Sequence, residues 1–189
     1  VLGEGAATLI LEEWEHARAR GATILAEVVG YGTCSDHSHL VRPDRDGQIR
    51  AMRLALDDAG LTPDDVDYVN AHGTATVEGD AIEVDSLRAL FGDRAGQVPV
   101  SATKSMHGHL MGAAGAIEAV TTVLALAEDA LPPTAHLDTI DPATPVSQLT
   151  AGFHQGCWPH RWQTSSHRIW RHRETCGAGL PAIGPVALG

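Results

Sequence analysis

His72, Lys104, His109 and Glu118 are the residues whose types and settings could do chemistry in this 189-residue chain. His72 lies just past Val66-Asp67-Tyr68-Val69, a run that reads as a strand, at the edge where open α/β sheets take their ligands. Lys104, the chain's only lysine, and His109 fall between a second short strand, Val98-Pro99-Val100-Ser101, and a helix expected from Gly112 to Ala127. That helix is apolar nearly all round, which in a soluble protein means burial. Glu118 inside it needs a partner, because an unpaired buried charge is costly. Lys104 is the nearest basic residue in sequence. Residue type alone leaves the rest open. A lone histidine at a strand end is more often a structural group than a catalyst. Asp80 with Glu83 three residues on has the spacing of a capping box opening a helix to Leu90. Thr74 and Thr76 read equally as turn residues and as ligand contacts.

The elements that must position these groups follow from periodicity. Ala6 to Leu11 reads as a buried strand, followed by a short polar helix from Glu12 to Arg20 that ends at Gly21. Ala22 to Tyr31 is a second β-branched, apolar run, and the polar stretch Cys34 to Asp46 reads as a loop. Ile49, Met52, Leu56 and Ala59 repeat at helical spacing, with Gly60 where a C-cap glycine belongs. Strands alternating with helices predict α/β layers around a mostly buried sheet.

The formal net charge of −11 argues against a nucleic-acid-binding protein, which would carry a basic patch. The start has no basic, apolar leader, no window offers about 18 uncharged apolar residues for a membrane span, and Cys34, Cys157 and Cys176 make no disulfide framework. A cytoplasmic protein is the expectation, with no nucleic-acid or membrane partner.

Longer motifs carry a resemblance. They are Asn70-Ala71-His72-Gly73-Thr74-Ala75-Thr76, then Gly79-Asp80 with Glu83, Ser101-Ala102-Thr103-Lys104-Ser105, and Gly108-His109-Leu110-Met111-Gly112-Ala113-Ala114-Gly115-Ala116 with Glu118. In order and spacing this series resembles the β-ketoacyl-acyl carrier protein synthases, or ketosynthases. Gly3-Glu4-Gly5-Ala6, Leu131-Pro132-Pro133-Thr134 and Asp141-Pro142 extend the likeness from residue 1 to about 146.

The resemblance implies the C-terminal half of a thiolase-like, layered α-β-α-β-α fold. It also implies an acyltransferase activity, the decarboxylative condensation of a malonyl group on acyl carrier protein with an enzyme-bound acyl thioester, in fatty acid or polyketide chain elongation. On that pattern His72 and His109 donate to the oxyanion, and Lys104 with Glu118 holds the His109 loop. Asp80 and Glu83 form a supporting acidic pair, and Thr74 and Thr76 bind the pantetheine arm. The implied partners are acyl carrier protein with its phosphopantetheine-linked malonyl or acyl group, and a second subunit in a homodimer or ketosynthase heterodimer. Neither cofactor nor metal is implied.

The family's cysteine nucleophile lies upstream of the segment matching Val1, and Cys34, in a polar loop with no helix starting behind it, does not replace it. The isolated chain is therefore expected to be inactive. The alternatives are a non-catalytic partner subunit like a chain-length factor, and an inactive fragment.

A seam near residue 149 separates two kinds of sequence. Residues 1–149 hold 9 Lys+Arg against 23 Asp+Glu, whereas residues 150–189 hold four arginines against Glu174 alone. Three of the four tryptophans and four of the eleven histidines also fall in that tail. The Gly-Phe-Gly-Gly loop of the family is missing there. Yet Arg168-Ile169-Trp170-Arg171-His172 can be encoded by bases that contain Gly-Phe-Gly-Gly in an overlapping frame. The reading is a half-domain over 1–149 and an atypical, poorly ordered tail over 150–189, out of frame from a shift within 145–160. The rival reading of the tail is a metal site at His154, Cys157 and His160, with His167, His172 and Cys176 behind.

Overall fold

The computed structural model describes residues 1–37, 39 and 41–142, together with the backbone of four short strands at 147–148, 154–155, 161–164 and 168–171. The 145–160 interval lies largely outside these residues, as do Cys157, His160, His167, His172 and Cys176 of the rival metal set.

The chain begins irregularly. Residues 6–11, expected as a buried strand, form none, and Ile10 and Leu11 are 84% and 70% exposed. An apolar run becomes a strand only where a neighbour takes its N–H and C=O groups. Among the described residues no strand lies beside it.

Helix α1, Trp14–Ala19, is shorter than the polar pattern suggests and is capped by Glu13, whose carboxylate accepts from Glu15 N and His16 N. Strand β1, Glu27–Tyr31, occupies the end of the second apolar run. Helix α2, Arg45–Ala59, starts at Asp44, which accepts from Asp46 N and Gly47 N, and stops at Gly60 in the left-handed region at φ 68°. The glycines of the β1 segment let α2 lie almost on the strand backbone. A Cβ on Gly30 would sit 2.3 Å from the Ala55 carbonyl oxygen, and one on Gly32 would sit 2.2 Å from that of Ala51.

Strand β2, Tyr68–Asn70, leads to helix α3, Val77–Phe91; strand β3, Pro99–Ser101, leads to a one-turn helix α4, Lys104–His107. A 3-10 turn, Met111–Ala113, then opens helix α5, Ala114–Glu128, which is followed by strand β4, Ala130–Leu131.

Strands β5 (Ser147–Gln148), β6 (His154–Gln155), β7 (Arg161–Thr164) and β8 (Arg168–Arg171) complete the sheets. The main sheet runs β1-β8-β7-β2-β3-β5, and β4 pairs with β6. At its centre β2 is parallel to β3, with Val69 opposite Val100 and Asn70 opposite Ser101. β7 is parallel to β2 on the other side, and β8 runs antiparallel to both β7 and β1. The alternating α/β architecture expected from periodicity is the one observed.

A single cluster joins Leu56 of α2, Val69 of β2, Leu87 and Phe91 of α3, Val100 of β3 and Val123 and Leu126 of α5. Burying each such side chain contributes about 1.5–3 kcal/mol. Met111–Glu128 is long and apolar enough to cross a membrane, at mean hydropathy 1.3 over 18 residues. Its buried face here packs into this cluster, and its central Glu118 is ion-paired. Leu124 on its other face is exposed, so the helix is buried on one side rather than all round.

Candidate active site

Because β2 and β3 are parallel neighbours, their C-terminal ends open on the same edge of the sheet. The segment after β2 carries His72, Thr74 and Thr76. The segment after β3 carries Lys104 and, past Gly108 at φ 76°, His109. The two imidazoles meet there with ring centroids 5.3 Å apart and planes at 89°. Gly73, at φ 41°, allows the approach, since a Cβ on it would lie 2.5 Å from the Ala102 methyl.

Each ring is held in one tautomer by what its Nδ1 accepts. Lys104 Nζ lies 3.3 Å from His72 Nδ1, and an ammonium can only donate. The backbone N–H of Met111 donates to His109 Nδ1 at 3.3 Å. Both rings therefore carry their proton on Nε2 as hydrogen-bond donors. Loss of solvent around His109, with the Lys104 cation nearby, holds its pKa below the usual histidine value and favours the neutral ring.

The backbone beneath is fixed from several directions. Glu83 reaches back from α3 and accepts from His72 N at 2.7 Å and Gly73 N at 2.8 Å. Asp80 faces the backbone N–H groups of Ala75, Thr76 and Thr74. Burial raises the pKa of both carboxyls, against the lowering effect of those N–H groups. The capping box suggested by their spacing is not formed. The helix starts at Val77 with Thr76 as N-cap, and both carboxylates serve the loop instead.

Lys104 and Glu118 are ion-paired with their side chains only 4% and 2% exposed. Burial pushes the Glu118 carboxyl up, opposed by the ammonium beside it. The hydroxyls of Thr74 and Thr76 are 3.1 Å apart. They border a cavity of about 930 Å³ whose wall includes His109, and another of about 520 Å³ whose wall includes His72.

A profile described as "Beta-ketoacyl synthase, C-terminal domain" matches residues 25–138. The chain belongs to the β-ketoacyl synthase family. Over 142 residues it is 53% identical to "Nodulation protein E" of Rhizobium leguminosarum bv. trifolii, covering 75% of this chain and 35% of that one. Over 143 residues it is 49% identical to "3-oxoacyl-[acyl-carrier-protein] synthase 2" of Coxiella burnetii, covering 75% and 34%. Among solved structures, "The ishigamide ketosynthase/chain length factor" superimposes with a TM-score of 0.82 at 40% identity, over 87% of this chain and 40% of that one. The fold is thus the α/β C-terminal half of a ketosynthase, and the chain spans about a third of the length of the curated relatives it matches.

The structure brings the segments carrying His72, Thr74, Thr76, Lys104 and His109 to one sheet edge, with Asp80 and Glu83 reaching the His72 loop from α3 and Glu118 reaching Lys104 from α5. Sequence reasoning missed three features there. The Tyr68 hydroxyl bonds the Ser101 hydroxyl across the two site-bearing strands. The first residues of the chain brace His109, with Gly3 N donating to His109 O at 3.0 Å and His109 N to Val1 O at 2.9 Å. Thr134 and Ser105 bond to the backbone around Ala102. The strand pairing behind the first feature and the chain-end contact behind the second have no local signal, but the Thr-Lys-Ser and Pro-Pro-Thr motifs contained the third. Among the described residues, three or more His, Cys, Asp or Glu side chains are nowhere gathered to hold a metal ion.

Proposed function

We propose that this chain is the oxyanion-binding part of an acyltransferase that performs decarboxylative condensation. Malonyl held as a thioester on acyl carrier protein loses its carboxylate as carbon dioxide. The electron pair of the broken C–C bond passes into the thioester carbonyl. His72 and His109 aim their Nε2–H groups at that oxygen as it gains charge, in a site where such donors are strongest. The resulting carbanion attacks the acyl thioester on an enzyme cysteine. A C–C bond forms, the C–S bond breaks, and the thiolate is regenerated.

On this reading the cysteine is supplied by sequence beyond these 189 residues, and the isolated chain does not condense. Lys104 holds His72 in its donor tautomer and, through α4, the approach to His109. Glu118 neutralises the lysine. Glu83 and Asp80 fix the His72 loop, and Thr74 and Thr76 hydrogen-bond the pantetheine arm. Acyl carrier protein is the donor partner, a second ketosynthase-type subunit completes a dimer, and the complex works in the cytoplasm on fatty acyl or polyketide chains. The observation that carries this reading is the convergence of two rings, both fixed as Nε2–H donors, from separate strand ends.

A structure titled ketosynthase/chain length factor names both kinds of subunit, so the alternative reading is a non-catalytic partner subunit. Malonyl-carrier decarboxylation separates the two when the protein is completed by the upstream portion of its relatives. His72→Ala should lower it about 100- to 1000-fold, the usual effect of losing one oxyanion donor. Acyl loading of the cysteine should stay largely intact. Decarboxylation at an unchanged rate removes His72 from this role, and none in the unsubstituted protein favours the partner subunit.

A further inference from the structure

Leu131-Pro132-Pro133-Thr134 follows α5, the helix that carries Glu118, yet no part of the chemistry above uses it. In the structure it returns to the site. Thr134 Oγ1 accepts from Ala102 N at 3.0 Å. Ser105 Oγ donates to Ala102 O at 2.7 Å and accepts from Ala135 N at 2.7 Å. One hydroxyl with a single proton and two lone pairs can make both of those bonds at once. Both backbone polar groups of Ala102 are thus held by hydroxyls, and Ser105 is itself tied to the Pro-Pro-Thr segment.

Ala102 is where the two histidine-bearing segments touch. Its methyl faces Gly73, next to His72, closely enough that any side chain on Gly73 would collide with it. Ser105 sits in α4 beside Lys104, one turn before His109. Leu131, Pro132 and Pro133 are buried, and two successive prolines fix φ, so the segment is stiff at the point where it grips.

We propose that Thr134 and Ser105 form a strap that sets the spacing of the His72 and His109 loops, making Thr134 a positioning residue for decarboxylation. The proposal rests on the oxyanion reading above. Its physical basis is that misplacing a reacting group by about 1 Å can cost on the order of 100-fold in rate. Thr134 and Ser105 also line the cavity that Thr74, Thr76 and His109 border, so a loss confined to kcat for decarboxylation, with KM unchanged, is what separates the strap from a direct contact with the carrier arm.

The test uses the protein completed by its upstream portion, assayed for malonyl-carrier decarboxylation and for acyl loading of the cysteine. Thr134→Val keeps the shape and removes the acceptor. It should lower kcat for decarboxylation about tenfold, leave KM and acyl loading unchanged, and be rescued by Thr134→Ser. Ser105→Ala, which breaks the other side of the strap, should show the same split, and it decides the matter if Thr134→Val does not fold. Wild-type decarboxylation in the folded variants overturns the strap. So does a parallel loss of loading and decarboxylation that serine fails to rescue. His72→Ala in the same assay separates the two ideas. Activity retained there removes the oxyanion reading itself, whereas activity lost there but kept in Thr134→Val and Ser105→Ala removes only the strap.

Discussion

Lys104 touches both halves of the site's electrostatics, since it neutralises a buried carboxylate and donates to a histidine that must not hold its proton on Nδ1. These two jobs can be separated. Lys104→Met leaves Glu118 buried without its ion partner and should cost about 3–5 kcal/mol of stability. Lys104→Met with Glu118→Leu removes both charges and should recover most of that loss, because a buried pair replaced by apolar groups is often neutral. Decarboxylation should stay as low in the double variant as in the single one, since His72 Nδ1 has lost the donor that fixes its tautomer. Urea denaturation and malonyl decarboxylation on both variants check this. Recovered activity in the double variant would show that the lysine acts only by neutralising Glu118. The need for a partner at Glu118 was legible in the sequence because the helix around it is apolar. The bond from Lys104 to His72 was not, because it crosses between two strands.

The elements around the site were legible where a local rule ends or spaces them. Gly60 marked the end of α2, and the short apolar runs marked β2 and β3. Two elements were misread for physical reasons. Asp80 and Glu83 have capping-box spacing, but the backbone N–H groups of the preceding loop compete for their oxygens and win. Residues 6–11 have strand composition without a neighbour to pair with among the described residues. The tail poses the sharper question at this scale. Backbone segments 161–164 and 168–171 lie in the main sheet beside β2 and β1. These segments are rich in Arg and Trp, and we propose that they are read out of frame, from a shift within 145–160. Sequencing the coding DNA should reveal Gly-Phe-Gly-Gly in the frame overlapping Arg168–His172. A confirmed frame with no such sequence in the overlap contradicts the proposal.

Over the whole molecule, the parallel pairing of β2 with β3 turns residues distant in the chain into one site, and no periodicity in the sequence reports that pairing. The family resemblance supplied the convergence of His72 and His109 instead, because it implies the layout of a complete fold. The larger cavity is bordered by Val1 and Leu2, both exposed apolar residues. A crystal structure of the protein completed by the upstream portion, bound to a non-reactive malonyl thioester mimic, tests the central claim most directly. The mimic's thioester oxygen should lie about 2.7–3.1 Å from Nε2 of both His72 and His109. An oxygen within reach of only one ring, or of neither, would contradict it.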